Sequence, residues 1–388
     1  MSAHAEIARA IDSYREEVVG LSHEIHEHPE LRFQEKFAAD LLVKAGEALG
    51  LAMQRGVGEM PTAFRGEFGG EGPTVAIMAE YDALPNGHSC GHNLIAGAAL
   101  AAVAGLKSID DKLPGKIVFV GTPAEEGGGG KILLLNRGVL RGVDAAMMAH
   151  PMDMEYRTMP ALATHHVKIS FSGRAAHASL APWDGASALT AVLQLFHSVD
   201  SMRLHLRDGS RLHGIITNGG QAVNIIPEFT ECQFLARGRT SKYAKEIGER
   251  IARCAEAAAL ATGTKVDVQH LGGYKNMINN MSMADRYAAH SEELGTHSPV
   301  ARQDVPTGST DMGDISHAIP AIHPVFAIAH HGEGACHEDA FVRHADSSRG
   351  YDAMIRVAKA MAMTAYDLLA EPELMKAAKA EFAERKES

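Results

Sequence analysis

The chain has 388 residues, too many for one core of ordinary size, so two domains are expected. It is 46% hydrophobic and 22% charged, a globular balance, and its formal net charge of −11 argues against a surface that tracks nucleic-acid phosphates. Residues 1–17 lack the apolar stretch of a leader peptide, the apolar run 94–106 is too short to span a bilayer, and no CxxC pair occurs. The expected setting is therefore a reducing cytoplasm with no membrane partner.

In chain order, helical periodicity covers 5–19 and 35–49, the second ending at Gly50. Runs of β character at 73–79 and 116–120 flank an Ala-rich helix at 94–106. A helix at 131–136 and a buried strand at 143–149 follow, and this alternation predicts an α/β domain with a mainly parallel sheet. The pattern changes near 160. Strands at 165–171, 214–219, 230–237 and 265–269 interleave with helices at 186–203 and 242–261. That order is a ferredoxin-like α+β arrangement, read as a domain inserted over 161–276. Helices at 283–294 and 351–369 and a strand at 322–329 return to the first domain, which then comprises 1–160 and 277–388, with a charged helix from 372.

The chemistry lies where ionisable residues fall after strands. Cys90-Gly91-His92 sits in a turn after the 73–79 strand, Glu125-Glu126 after 116–120, His150 after 143–149, and His337 after 322–329. In an open α/β sheet, catalytic groups gather beyond the carboxyl ends of strands. Four strand ends thus bring thiolate, imidazole and carboxylate to one edge, a donor mixture that suits zinc or another borderline divalent ion. Singly, a Cys-x-His or a Glu-Glu pair is a common accident; jointly, after strands in one order, they point to a metal centre. Adjacent glutamates also make chemical sense, one binding metal while the other takes a proton from water.

Competing motifs fail. The Gly-rich run from Glu125 to Lys131 lacks the first glycine and the hydroxyl residue of a phosphate loop, having Glu125 and Ile132 instead. His23-Glu24-Ile25-His26 is one residue short of the zinc-helix spacing, and no GxSxG elbow occurs.

Glu80-Tyr81-Asp82-Ala83-Leu84-Pro85, with Gly87-His88-Ser89-Cys90-Gly91-His92-Asn93, resembles the M20 metallopeptidases, subfamily D, on the aminobenzoyl-glutamate hydrolase and dipeptidase branch. Thr122-Pro123-Ala124-Glu125-Glu126-Gly127, Ala149-His150-Pro151, Gly173 to His177, Val223 to Glu228 and Gly308 to Gly313 extend the likeness over nearly the whole chain. The resemblance implies two divalent metal ions per subunit, zinc or manganese, held by Cys90, His92, Glu126, His150 and His337. It makes Glu125 the general base and Asp82 an orienting residue beneath the ligands. His177 would polarise the scissile carbonyl in a partner subunit's site, so a homodimer or higher homo-oligomer is expected, with the inserted domain as its dimerisation domain. Asn224 and Arg237 would hold substrate. The implied activity is hydrolysis of an amide C–N bond in a small N-acyl amino acid, dipeptide or conjugate. Deamination or deacetylation of a specialised metabolite, and a non-catalytic metal-binding assembly protein, remain the alternatives. Asn93 departs from the Asp of many members, and His330, His331 and Cys336 crowd the last ligand.

Overall fold

The computed structural model describes residues 2–302 and 307–386. The chain divides into two compact units, the first comprising Met1–Pro160, Ile278–Val305 and Asp314–Ser388, the second Ala161–Met277 and Pro306–Gly313. Along the chain, the first unit contributes β1 (Ala52–Arg55), β2 (Phe64–Gly69), β3 (Thr74–Ala79), β4 (Lys116–Gly121), β5 (Ala145–Met147) and β6 (His150–Met152). The second contributes β7 (Ala163–Ser172), β8 (Arg211–Asn218), β9 (Phe229–Gly238) and β10 (Lys265–Gly272), and β11 (Ala321–Ile322) and β12 (Val325–Ala327) belong again to the first.

The main sheet of the first unit has the order β1-β2-β4-β3-β5-β11. The pairs β4–β3, β3–β5 and β5–β11 are parallel, while β1–β2 and β2–β4 are antiparallel. The fold is therefore α/β with a mainly parallel sheet. β3 and β4 are buried from their second residue to their last, as central strands covered on both faces must be. The helix His92–Lys107 is buried at fifteen of its sixteen positions. Such a helix, apolar all round, belongs inside a core. The helices Ala3–Ser13, Arg15–Glu27 and Ser348–Ala370 pack against it.

Three expected elements differ in detail. The helix read over 5–19 is two helices, Ala3–Ser13 and Arg15–Glu27, meeting at Tyr14 (φ −94°, ψ 7°). The apolar spacing runs on through Tyr14 and does not register the break. The strand read over 143–149 stops at Met147, and His150–Met152 forms a separate short strand. The strand read over 322–329 likewise splits: Ala321–Ile322 pairs with β5, whereas Val325–Ala327 pairs with β6 in a two-stranded ladder. Pro324 stands between them, without an N–H to continue a ladder, and its carbonyl accepts the His150 amide at 2.8 Å.

The second unit is a four-stranded sheet of order β10-β7-β9-β8, antiparallel throughout. The helices Ala188–Met202 and Ser241–Thr262 pack on it around Ile169, Phe171, Leu195, Phe234 and Ile251. Strand-helix-strand-strand-helix-strand with this order is the ferredoxin-like pattern.

Candidate metal centre

Because β3, β4 and β5 are parallel, their carboxyl ends share one edge of the sheet. β3 runs into Glu80 and Asp82 and then a turn ending at Gly91, which caps the helix that His92 begins. Gly91 has φ +68°, and a Cβ there would lie 2.7 Å from Pro151 Cγ, so conformation and space both require glycine. β4 leads into the loop carrying Glu125 and Glu126, and β5 into His150. His337 arrives on the segment after β12, its amide donating to the Ser89 carbonyl at 2.8 Å.

The donor atoms of Cys90, His92 and His150 lie within 4.8 Å of one another, as do those of Cys90, Glu126 and His337, and those of His92, Glu125 and Glu126. The six residues singled out at the strand ends thus come together, and Cys90, His92 and Glu126 each belong to two of the three sets. His92 donates from Nδ1 to the Asp82 carbonyl at 2.7 Å, and His150 from Nδ1 to the Pro151 carbonyl at 2.7 Å. Each ring thereby turns Nε2 towards the shared space, the usual way a metal-binding imidazole is oriented. His92 Nε2, Glu126 Oε1, Glu80 Oε1 and Asp82 Oδ1 are buried and make no hydrogen bond, although His92 Nε2 lies 3.3 Å from Glu80 Oε1 and His337 Nε2 lies 3.5 Å from Glu126 Oε1. Buried polar atoms are rarely left so unless an ion or water completes them. The donor chemistry and these orphaned atoms fit divalent metal ions.

Electrostatics agree. Burial opposes ionisation of Glu126, but His337, with its Nε2 3.5 Å from Oε1, and nearby His92 hold its carboxyl down at about 2. Burial pushes His150 down to about 4, leaving the neutral imidazole that coordination needs. At His92 burial disfavours charge, yet Glu80, Asp82 and Glu126 lift its pKa well above the usual range. The field there calls for positive charge, which a divalent cation supplies.

Asp82 ties the cluster together: its carbonyl orients His92, and its Oδ2 accepts the Glu126 amide at 2.9 Å. The three remaining residues, His177, Asn224 and Arg237, lie in the second unit. His177 is exposed, and its Nδ1 accepts the amides of Ser179 and Leu180 at 3.3 Å each, fixing Nε2 as a donor. Asn224 lies beside it, its carbonyl accepting the Ala178 amide at 3.0 Å. Arg237 is eight residues along β9 from Phe229, on the order of 26 Å at the rise of a strand, and bonds Ser309 Oγ at 2.8 Å. Of the crowding residues, His330 meets Arg349 and His331 pairs with Asp153, and neither enters a donor set; His88, two residues before Cys90, donates to the Ile25 carbonyl and enters none either. Cys336 Sγ donates to the Pro151 carbonyl at 3.9 Å and also belongs to none.

Three residues beneath the cluster were not singled out. Glu80 and Lys131 are both fully buried and form an ion pair of 2.5 Å. Burial pushes Glu80 up, but Lys131 and His92 overrule it and hold the carboxyl at about 2. Lys131 ends the Gly-rich run that fails as a phosphate loop, and the failed motif obscured it. His323 is fully buried, donates from Nδ1 to the Met148 carbonyl at 2.8 Å and stacks edge-on against His150 at 5.8 Å. Its position after β11 was the available signal.

A parallel sheet whose strand ends bring these donors together fits a metallohydrolase. Residues 76–360 match the profile of Peptidase family M20/M25/M40, and the chain belongs to that family and hydrolyses amide bonds. It is 37% identical over 394 residues to the Xaa-Arg dipeptidase of Mus musculus, covering 97% of this chain and 91% of that protein. To one of the subunits of the p-aminobenzoyl-glutamate hydrolase of Escherichia coli strain K12 it is 29% identical over 448 residues, covering 94% and 92%. Among solved structures, a dinuclear metal-binding M20 peptidase of Bacillus subtilis superposes with a TM-score of 0.74 at 19% identity, covering 92% and 99%. The aminobenzoyl-glutamate utilization protein of Klebsiella pneumoniae gives 0.73 at 18%, covering 93% and 98%. At these identities the two structures speak for the fold alone. No helix among the described residues is long and apolar enough to cross a membrane.

Proposed function

We propose that the chain is a two-metal amidohydrolase in which Cys90 is shared between the ions. Cys90, His92 and His150 would hold one ion and Cys90, Glu126 and His337 the other, with zinc or manganese suited to the donors. The observation that carries this reading is the pair of three-residue donor sets with Cys90 in common. When bound, the ions supply Lewis-acid polarisation of the scissile carbonyl and acidify a water molecule. Glu125, within 4.8 Å of His92 and Glu126 donor atoms, takes the proton from the attacking water and returns it to the leaving amine. Asp82 keeps His92 and Glu126 in register from below.

The substrate class is a small dipeptide, N-acyl amino acid or amino-acid conjugate, in keeping with the names of the two curated relatives. The working assembly is a cytoplasmic homodimer formed through the second unit. Supporting this, β8 is a sheet edge carrying Ile215 at 64% exposure, a hazard that pairing would cover. His177, with its Nε2 fixed as a donor, would stabilise the developing oxyanion in the partner's site, and Asn224 and Arg237 would hold substrate. Metal counting tests the central claim. Cys90→Ala should lose both ions, whereas His337→Ala should retain about one per chain. Equal metal content in the two variants would refute the shared ligand.

A further inference from the structure

The loop that carries Glu125 is held in an unusual conformation. Ala124, immediately before it, has φ +61°, a left-handed value that residues with a Cβ seldom adopt. Phe33 has the same φ of 61° on a separate segment. A single oxygen joins the two: Glu35 Oε1 accepts the Phe33 amide at 2.7 Å and the Ala124 amide at 2.9 Å. Glu35 Oε2 accepts the Thr62 hydroxyl at 3.0 Å, and the side chain is fully buried. Arg32, on the same turn, donates to the Glu126 carbonyl at 3.1 Å. On the far side of Glu125, Asp82 Oδ2 takes the Glu126 amide at 2.9 Å. Two buried carboxylates therefore grip the backbone on either side of Glu125.

We propose that Glu35 is a positioning residue for the reaction: its buried carboxylate clamps Ala124 in the left-handed conformation that delivers Glu125 to the metal centre. The proposal rests on the reading of Glu125 as general base. Backbone strain persists only where surroundings over-determine it, and it clusters where geometry must be held. Here the holding group is a carboxylate that belongs to none of the donor sets and accepts from the Phe33 and Ala124 amides and the Thr62 hydroxyl. Glu35 has two acceptor oxygens committed to three donors, so an amide, which keeps one carbonyl oxygen for the two backbone N–H groups, preserves the clamp. A side chain of similar volume with no acceptor releases it.

The test compares Glu35→Gln, Glu35→Met and the double variant Glu35→Met/Ala124→Gly in metal-loaded full-length protein, with Glu125→Gln as control. Alanyl-arginine and p-aminobenzoyl-glutamate are the substrates, metal content is counted, and hydrogen exchange is followed in the peptide spanning 119–131. Glu35→Met should lower kcat by about 10- to 100-fold, the effect of a displacement near 1 Å, with KM and metal content little changed. Exchange across 122–127 should rise about tenfold or more, while Glu35→Gln stays within about threefold of wild type in both readouts. Glycine reaches the left-handed region unaided, so the double variant should recover much of the lost kcat. Unchanged exchange in Glu35→Met overturns the proposal, whatever the substrates show, and so does an equal loss in Glu35→Gln. Full activity in Glu125→Gln would instead overturn the general-base reading, a separate outcome.

Discussion

Asp367 offers a stability test remote from the metal centre. It lies on the helix Ser348–Ala370 with its side chain 3% exposed, and Oδ1 accepts His4 Nε2 at 2.7 Å. Its Oδ2 accepts His290 Nε2 at 2.7 Å and Arg286 Nη1 at 2.6 Å, so three helices meet at one carboxylate. Burial alone would raise its pKa, but hydrogen bonds from His290, Arg286 and His4 outweigh it and bring the carboxyl from 3.8 to about 2. At about 1.4 kcal/mol for each tenfold change in proton affinity, that shift contributes roughly 2 kcal/mol of stability. The folded value lies below the unfolded one, so this contribution is complete above pH ~4 and drains away as pH falls towards ~2. Asp367→Asn keeps the shape and removes the charge. Arg286 retains Glu371, with two contacts of 2.6 Å, so the variant should lose about 2–3 kcal/mol at pH 7 rather than the ~3–5 of a fully orphaned partner. Urea unfolding of chelator-treated wild type and variant at pH 7, 5, 3.5 and 2.5 measures the gap. It should narrow to a small residue at the lowest pH; a gap constant across the series refutes the reasoning.

Glu125→Gln should retain metal while kcat drops by about 10²–10⁴, and activity within a few-fold of wild type would reassign the base. Lys131→Met leaves Glu80 buried beside His92 without its counter-ion and should cost about 3–5 kcal/mol in urea unfolding. Adding Glu80→Gln should restore part of that loss, and single and double variants of equal stability would show that the pair is not coupled. Mixing inactive His177→Ala with inactive Glu125→Gln protein should regenerate one wild-type site per heterodimer. Absence of recovery after proven subunit exchange would place His177 in its own chain's site or outside catalysis.

The sheet and the clustering of residues at its edge were legible because both have local signatures. Buried strands such as Thr74–Ala79 are short apolar runs, and the residues that follow them fall on one edge as soon as the strands are parallel. What stayed hidden has its cause in distant neighbours. Glu35 reads as a polar residue opening a helix, and only the folded chain brings Ala124 to it across 89 positions. Glu80 and Lys131, 51 positions apart, are each unremarkable until burial makes them obligatory partners. The division of the strand read over 322–329 depended on Pro324, whose missing N–H was visible but whose change of sheet was not. Asn224 and Arg237 entered through resemblance alone, and the structure sets them at opposite ends of β9's neighbourhood, so one pocket does not follow from their sequence pattern.

The discontinuity of the first unit has a consequence for synthesis. Cys90, His92, Glu126 and His150 all leave the ribosome before the second unit, whereas His337 follows His150 by 187 residues (337 − 150). At about 5–20 residues per second, that interval is roughly 10–40 s. During it, the donor set of Cys90, His92 and His150 is complete, while that of Cys90, Glu126 and His337 lacks a member. The outer side of β5 also waits for Ala321–Ile322, leaving a bare edge on the nascent sheet. Translation order alone therefore makes one donor set available before the other, with the edge of β5 unpaired in the meantime.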